Sequence, residues 1–378
     1  MKTGITLLVL LSPGISLQVW KNVGTLEREL KPYLYHIERG GRVIFLQTRY
    51  NTPPVLPAGM EVVRIPDWRL LPLFNPILGG VGKFVDVVKS SNSAHVHVFL
   101  PLLKKWKKPF LLRCGYVAGK NLELRFGRTK QVLFYQERER AAFASASLIQ
   151  VTTAESSDWL IARYRLPSEK IKVVPNFVEV DHFAPQMVAA KPSIPRLVSV
   201  GRLAEEKQYH LLIDAAALLQ PREVEVHLVG QGSLASDLIE RAQRAGVRLT
   251  LHGKIDNAEL PHFFAQGDIF VLPSAWEGHP KALIEAMSCA LPCVGTKVPG
   301  IQNLLENGKT GLLTEGTPQS IADALASLYA SPELAKTLGD NARQYAIDHF
   351  SLPNILRQEA QNIETLAARG AFNQGVGF

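Results

Sequence analysis

Short, nearly continuous apolar runs recur along the chain, separated by longer stretches in which apolar positions return every three or four residues. The first pattern marks strands buried on both faces, the second amphipathic helices. In the first half the pattern predicts strands over 5–11, 42–47, 60–65, 95–99, 109–113, 148–152 and 171–174, with a turn at 49–51 closing the second. Helices are expected over 17–39, within 74–88, over 122–146 and over 156–165. The second half alternates more cleanly. Strands are expected over 196–200, 223–229, 248–251, 269–272, 292–295 and 311–313. Helices are expected over 208–219, 233–245, 258–266, from Pro280 onward, and over 320–329, 332–350 and 354–368. Strands alternating with helices of this length argue for α/β architecture with parallel, doubly wound sheets.

Residues 184–195 hold three prolines and follow neither period, which marks them as a linker between domains 1–184 and 185–353. The glycine-rich tail 370–378 reads as loose. A length of 378 residues suits two domains, each with its own core. No apolar run reaches the roughly 18 residues needed to span a bilayer. The run 5–11 follows a single lysine and is broken by Ser12-Pro13-Gly14, so a buried strand is preferred to a signal peptide. Three cysteines, Cys114, Cys289 and Cys293, make no disulfide framework and fit a reducing compartment. Cys289 and Cys293 have the spacing of half a metal site, but lack a second pair, so small buried hydrophobes are the simpler reading.

Charge sharpens the contrast between the halves. Residues 1–185 hold 26 Lys and Arg against 14 Asp and Glu; residues 186–378 hold 16 against 20. A basic first half points to an anionic partner, either membrane surface, lipid phosphate or nucleic acid, or else to a solvated face. The cluster Lys104-Lys105-Trp106-Lys107-Lys108 could lie on anionic lipid or be a solvated loop. No nucleic-acid-binding motif is present, which argues against that class.

The candidate chemistry centres on 274–300. After the buried run 269–272, Pro280 suits the first position of a helix, whose next amides, Lys281, Ala282 and Leu283, lack partners inside it. Open amides and the positive helix end make an anion site. His279 and Gly278 precede it, and Glu277 and Glu285 frame it. Phosphate between two hydroxyl-binding carboxylates describes a nucleotide-diphosphate sugar. A glycosidase pair is the other reading of these carboxylates, but a helix N-terminus between them favours an anion over a protonated acid. Gly201-Arg202 and Lys207 follow the strand 196–200, where ligands of parallel sheets bind. Arg202 and Lys207 either neutralise a diphosphate or make surface ion pairs with Glu205 or Glu206. Gly230-Gln231-Gly232 is equally a nucleotide loop or a tight turn. Gly14, after the first strand, could let backbone approach phosphate. His95 and His97 alternate on the expected strand beside Arg113, and one could face a ligand. No Asp-x-Asp pair occurs to hold a diphosphate through a divalent metal.

Together these residues resemble the family 4 glycosyltransferases, of group 1 type and GT-B fold: two doubly wound Rossmann-like domains with a cleft between them. The likeness rests on Gly201-Arg202-Leu203 with Glu206-Lys207, and on Glu277-Gly278 through Glu285-Ala286-Met287. His252-Gly253-Lys254, Pro273-Ser274, Gly308 through Leu313 and Pro175-Asn176 support it. It implies retaining, metal-independent, hexosyl-type transfer from a nucleotide-diphosphate sugar, with no cofactor. By position it gives Arg202 and Lys207 to the diphosphate, Glu285 to the ribose, Glu277 to the donor sugar, and backbone at Lys254 and Ile255 to the base. It also implies that the helix 354–368 crosses back onto the first domain. Gln208 and Phe177 stand where this family commonly has glycine, and Gln302 where it usually has glutamate. Arg113-Cys114-Gly115 stands where a histidine often meets the donor sugar, leaving Arg113 or His97 for sugar or acceptor contact.

The function expected is synthesis of polysaccharide, lipopolysaccharide or glycolipid on a glycan or lipid-linked acceptor. The place expected is the cytoplasm, peripheral at the inner face of a membrane. A nucleotide-sugar 2-epimerase of the same fold, and a sugar-nucleotide-binding protein without turnover, are the alternatives.

Overall fold

The alternating pattern folds into two units, each built on one parallel sheet. The structure is a computed structural model and describes residues 4–48, 51–187 and 193–375. Residues 49 and 50 of the expected turn, 188–192 of the expected linker and 376–378 of the tail lie outside the described residues.

The first unit runs to Pro175 and resumes at Leu356. Its strands are β1 (Thr6–Leu10), β2 (Arg42–Gln47), β3 (Met60–Arg64), β4 (Val87–Ser90), β5 (Phe110–Cys114), β6 (Leu148–Val151) and β7 (Ile171–Val173). The helices before and between them are α1 (Leu17–Asn22), α2 (Leu26–Glu38), α3 (Leu71–Val81), α4 (Leu100–Trp106), α5 (Ala118–Phe126), α6 (Lys130–Ser145) and α7 (Ala154–Tyr164). Strand order is β3-β2-β1-β4-β5-β6-β7, all parallel, so the order reverses between β1 and β4. Successive strand residues face opposite sides. Leu8, Leu10, Val88 and Leu112 join one core, and Leu7, Val9, Val87 and Leu111 the other.

Three expectations fail here for local reasons. The strand in this part of the sheet is β4, not 95–99; His-Val-His-Val-Phe mimics strand alternation, but His95 is left-handed (φ 57°) and Val96–Phe99 is a 3-10 turn. The stretch 17–39 is two helices, interrupted by Gly24 at φ 70°. The stretch 122–146 is also two, parted by Gly127 at φ 67° and restarted by Thr129, whose hydroxyl accepts from the Val132 amide at 3.3 Å. Glycine admits these positive φ values without a Cβ clash.

The second unit is Asn176–Ile355. The division falls before residue 184 because the segment after Pro175 packs with the second core. The Val178 amide donates to Phe350 (2.8 Å), the Leu352 amide donates to Val178 (2.9 Å), and Phe183 is buried there. Its strands are β8 (Arg196–Val200), β9 (Glu225–Val229), β10 (Arg248–Leu251), β11 (Ile269–Leu272), β12 (Cys293–Thr296) and β13 (Leu312–Thr314). Its helices are α8 (Tyr209–Leu218), α9 (Ala235–Ala245), α10 (Leu260–Ala265), α11 (Lys281–Ser288), α12 (Pro299–Gln302), α13 (Pro318–Ala330) and α14 (Pro332–Phe350). Strand order is β10-β9-β8-β11-β12-β13, again parallel, with Ile269 opposite Leu197 at the reversal between β8 and β11.

A last helix, α15 (Leu352–Gly375), follows. It continues through the start of the tail expected to be loose. Ile363 and Leu366 pack with Leu7 and Val9 in the first unit's core. Glu359 forms a buried ion pair with Lys89 of β4, whose ammonium also lies 4.8 Å from the Tyr33 ring centre. A buried lysine is tolerable only with such a partner.

Candidate active site

In open parallel sheets, ligands bind beyond the carboxyl ends of the strands where the order reverses. In the second sheet that place is served by the loops after β8 and β11. The loop after β8 is pinned by the Gly201 amide, which donates to Val229 at 2.9 Å. It ends in a 3-10 turn, Glu205–Lys207, followed by Gln208 in the left-handed region (φ 46°, ψ 38°). A left-handed residue accounts for the glycine that the family resemblance leads one to expect at this position. The Ala275 amide donates to Glu206 at 2.8 Å, tying the two loops together.

That tie brings Lys207 to Glu277. Their Nζ–Oε1 distance is 2.5 Å, and the side chains are 15% and 11% exposed. The same oxygen accepts from Ser274 Oγ at 2.7 Å. Ser274 is fully buried and accepts from Thr296 Oγ1 at 2.6 Å through its carbonyl. Arg202 is placed differently. Its side chain is 76% exposed and pairs with Glu206 at 2.6 Å, the surface ion pair that the sequence left open.

Pro280 is the N-cap of α11 (φ −67°, ψ 111°), one place earlier than the first helical position expected for it. The Leu283 amide donates to the Pro280 carbonyl at 3.2 Å, so the run of open amides expected over 281–283 is shorter. Before the cap, the loop is held on both sides. Asn176 Nδ2 donates to the His279 carbonyl at 2.8 Å, and the buried His279 ring meets Phe350 edge-on at 5.2 Å. On the other side Gly300 presses against the loop: a Cβ there would lie 2.3 Å from the Glu277 carbonyl oxygen and 2.4 Å from that of Gly278. Glu285 lies inside α11, 4% exposed, and accepts from Asn257 Nδ2 at 3.4 Å. Lys281 and Ala282 open the helix, with Lys281 Nζ 6.0 Å over the Phe177 ring.

The loop after β10 joins the same edge. The Gly230 amide donates to Gly253 at 2.7 Å, and Gly230 (φ 146°) lies so close to Gly201 that a Cβ would come within 1.8 Å of its carbonyl oxygen. This stitches the loops after β8, β9 and β10 and makes Gly230 a tight backbone contact. Lys254 pairs with Asp256 at 3.4 Å, and Ile255 packs against the core.

In the first unit, Gly14 (φ 82°) turns the chain after β1. Ser12 Oγ donates to Asn92 Oδ1 at 3.2 Å, joining the loops after β1 and β4. Arg113 spends its guanidinium on the carbonyls of Val174 (3.2 Å) and Pro175 (3.5 Å). His97 sits in the 3-10 turn and lines a cavity of about 340 Å³; burial, then Arg138 and His95, hold its pKa below the usual histidine value. Burial raises the thiols of Cys114 and Cys289 to about 12, so neither suits a nucleophile at neutral pH. Among the described residues no three His, Cys, Asp or Glu group as a metal site, and no helix is long and apolar enough to cross a membrane.

Sequence reasoning brings together Lys207 and Glu277 only as neighbours in role. Of the residues that hold the site, Ser274 on Glu277 and Asn176 on the His279 carbonyl stand within motifs already noted, whereas Asn257 on Glu285 carried no signal.

Two doubly wound parallel sheets of seven and six strands are the architecture of the GT-B fold. Solved structures share that fold: Anabaena HepE, determined with UDP and glucose (TM-score 0.75, 20% identity, 96% of this chain, 100% of that one), and sucrose-phosphate synthase from Thermosynechococcus elongatus (0.79, 20%, 96% and 100%). The model of "Glycosyl transferases group 1" matches residues 186–345, so the second unit is similar to that family over this stretch. D-inositol 3-phosphate glycosyltransferases from Paenarthrobacter aurescens (strain TC1) and Arthrobacter sp. (strain FB24) are 28% and 30% identical over 65% and 66% of this chain. These alignments span 65% and 62% of the relatives' own lengths. The Escherichia coli UDP-Gal:alpha-D-GlcNAc-diphosphoundecaprenol alpha-1,3-galactosyltransferase is 31% identical over 48% of this chain and 51% of its own.

Proposed function

We propose that the protein transfers a hexosyl group, with retention, from a nucleotide-diphosphate sugar to a glycan or lipid-linked acceptor, without a metal. The Lys207–Glu277 pair beside α11 carries this reading. A lone ion pair would not need a helix N-terminus next to it, nor a buried carboxylate at Glu285. A diphosphate entering this edge draws on Lys207 and the opening of α11 at Lys281 and Ala282. Lys207 then lies between two anions, which frees Glu277 to accept from sugar hydroxyls. Glu285, oriented by Asn257, accepts from the ribose, and the backbone at Lys254 and Ile255 meets the base. Arg202 reaches the phosphate by exchanging Glu206 for it. As the diphosphate leaves, its charge grows, and Lys207 binds that state more strongly than the bound donor. Retention follows if the acceptor attacks from the face the diphosphate departs, with a phosphate oxygen taking the acceptor proton.

The relatives' names support the donor class and the range of acceptors: one is a UDP-Gal-dependent enzyme acting on a diphosphoundecaprenol-linked sugar, others act on D-inositol 3-phosphate. The first unit suits an anionic acceptor or inner membrane face, since it carries 28 Lys and Arg against 14 Asp and Glu. The acceptors then belong to polysaccharide, lipopolysaccharide or glycolipid synthesis. A hydrolysis screen over UDP-, GDP- and ADP-sugars tests the reading. Slow release of free sugar from one donor class, lost in Lys207→Ala, is expected; no release from any, with no nucleotide binding by calorimetry, overturns it.

A further inference from the structure

The first unit holds a cavity of about 340 Å³ that the donor site does not use. Trp68 and Leu71 come from the segment after β3, His97 and Leu102 from the segment after β4, and Arg138 from α6. Both segments leave the carboxyl ends of their strands, so the cavity lies at the sheet's ligand edge. Its walls are mostly apolar. Among the described residues its charged or titratable lining consists of two guanidiniums, Arg69 and Arg138, and the His97 ring, with no carboxylate. Arg138 stacks on Phe134 at 4.2 Å and has no carboxylate within ion-pair distance among the described residues; Arg69 stacks on Trp68 at 5.5 Å and reaches Asp67 only at 4.0 Å.

The surroundings repeat this chemistry. Residues 68–134 hold 12 Lys and Arg against 2 Asp and Glu. Two exposed aromatics border the cavity: Trp68 (37% exposed) lines it, and Phe134 (60% exposed) lies under Arg138, while among the described residues the same stretch of chain holds eight of the fourteen exposed large hydrophobics. Basic residues alone suit any anion, and apolar residues alone suit any greasy partner. A free sugar phosphate would leave this apolar rim wet and would find few groups for its hydroxyls. A phosphate on a hydrocarbon chain satisfies both features.

We propose that this cavity binds the phosphate of an amphiphilic, lipid-linked acceptor, with its hydrocarbon chain against the exposed apolar rim. This rests on the lipid-linked branch of the glycosyltransferase reading and gives its acceptor a site and a charge. The full-chain protein is titrated by calorimetry with dodecyl phosphate below its micelle threshold, with inorganic phosphate, and with dodecyl glucoside. Dodecyl phosphate is expected to bind at least about tenfold tighter than either, because only it offers both features. Arg138→Gln is expected to lose about tenfold in that affinity, as for one charge-assisted contact, and Arg138→Lys less. Equal affinity for wild type and Arg138→Gln overturns the site. Inorganic phosphate binding as tightly means a free-phosphate site, and equal dodecyl glucoside binding means an apolar patch; either overturns the acceptor class. If Arg138→Gln unfolds at a lower temperature than wild type, Arg69→Gln replaces it. Affinity for UDP, GDP and ADP in the same proteins separates the two readings: whichever binds does so unchanged in Arg138→Gln, and binding of none of the three to wild type sinks the donor assignment without touching the alkyl-phosphate result.

Discussion

Lys207 and Glu277 lie 70 residues apart in the chain and 2.5 Å apart in the structure, each largely withdrawn from solvent. Each answers the other's charge, so removing one leaves a buried charge unmatched. Lys207→Ala is expected to lower turnover by about 100-fold or more, the scale of losing one transition-state charge contact. A double-mutant cycle of Lys207→Met with Glu277→Gln should show coupling in stability of about 1 kcal/mol, the usual range for contacting partners. Wild-type turnover in Lys207→Ala would remove its proposed role.

Glu285→Ala should act on binding more than on chemistry. Nucleotide affinity is expected to fall about tenfold, the scale of a lost hydrogen bond to a charged group, while turnover at saturating donor changes less. Calorimetry with the free nucleotide decides it, and an unchanged dissociation constant removes Glu285 from the ribose.

Chelation tests the charge balance of the site. With Lys207 and the start of α11 neutralising the diphosphate, activity should survive EDTA. Full loss with rescue by Mg²⁺ would contradict the metal-free mechanism.

Glu139 offers a pH test in the first unit. Burial pushes its carboxyl from the usual 4.5 up to about 7, against the opposing pull of the Tyr164 hydroxyl at 2.5 Å and the Gly119 amide at 3.1 Å. A pKa higher in the folded than in the unfolded chain means that the folded protein holds this proton more tightly. The contribution is therefore full below about pH 4.5 and is lost as pH rises through about 7. Its size is at most about 3 kcal/mol. Unfolding temperature should fall over that interval, and Glu139→Gln should flatten the slope; an unchanged slope in that variant would assign the effect elsewhere.

Gly300→Ala should disturb the loop without touching any charged group. The added methyl meets the carbonyl oxygens of Glu277 and Gly278 at 2.3 and 2.4 Å, distances that backbone must yield to. Lower stability together with weaker donor binding is expected, and thermal unfolding beside a nucleotide titration measures both.

The second unit was the more legible half because its strands alternate regularly with well-spaced helices and its site residues sit within local patterns. Residues 196–200, 248–251, 269–272 and 332–350 form their expected elements end to end. The first unit hid its organisation in long-range partners. Val87–Ser90 reads poorly as a buried strand because it contains Lys89, and only Glu359, 270 residues later, makes that burial tolerable. His95 to Phe99 reads well as a strand, yet one left-handed residue turns it into a 3-10 segment. In the site, the residue types of Lys207 and Glu277 were visible, but their contact was not. It depends on a backbone bond between Glu206 and Ala275 that no side-chain pattern announces.

The buried pairing of Lys89 with Glu359 also sets an order of events during synthesis. Lys89 leaves the ribosome long before its carboxylate partner, and the whole second unit is translated between them. Domains tend to fold as they emerge. Here the N-terminal sheet is left holding an unmatched ammonium until the last helix arrives. The first unit's core therefore lacks Ile363, Leu366 and the Lys89 partner until α15 is translated, after the whole of the second unit.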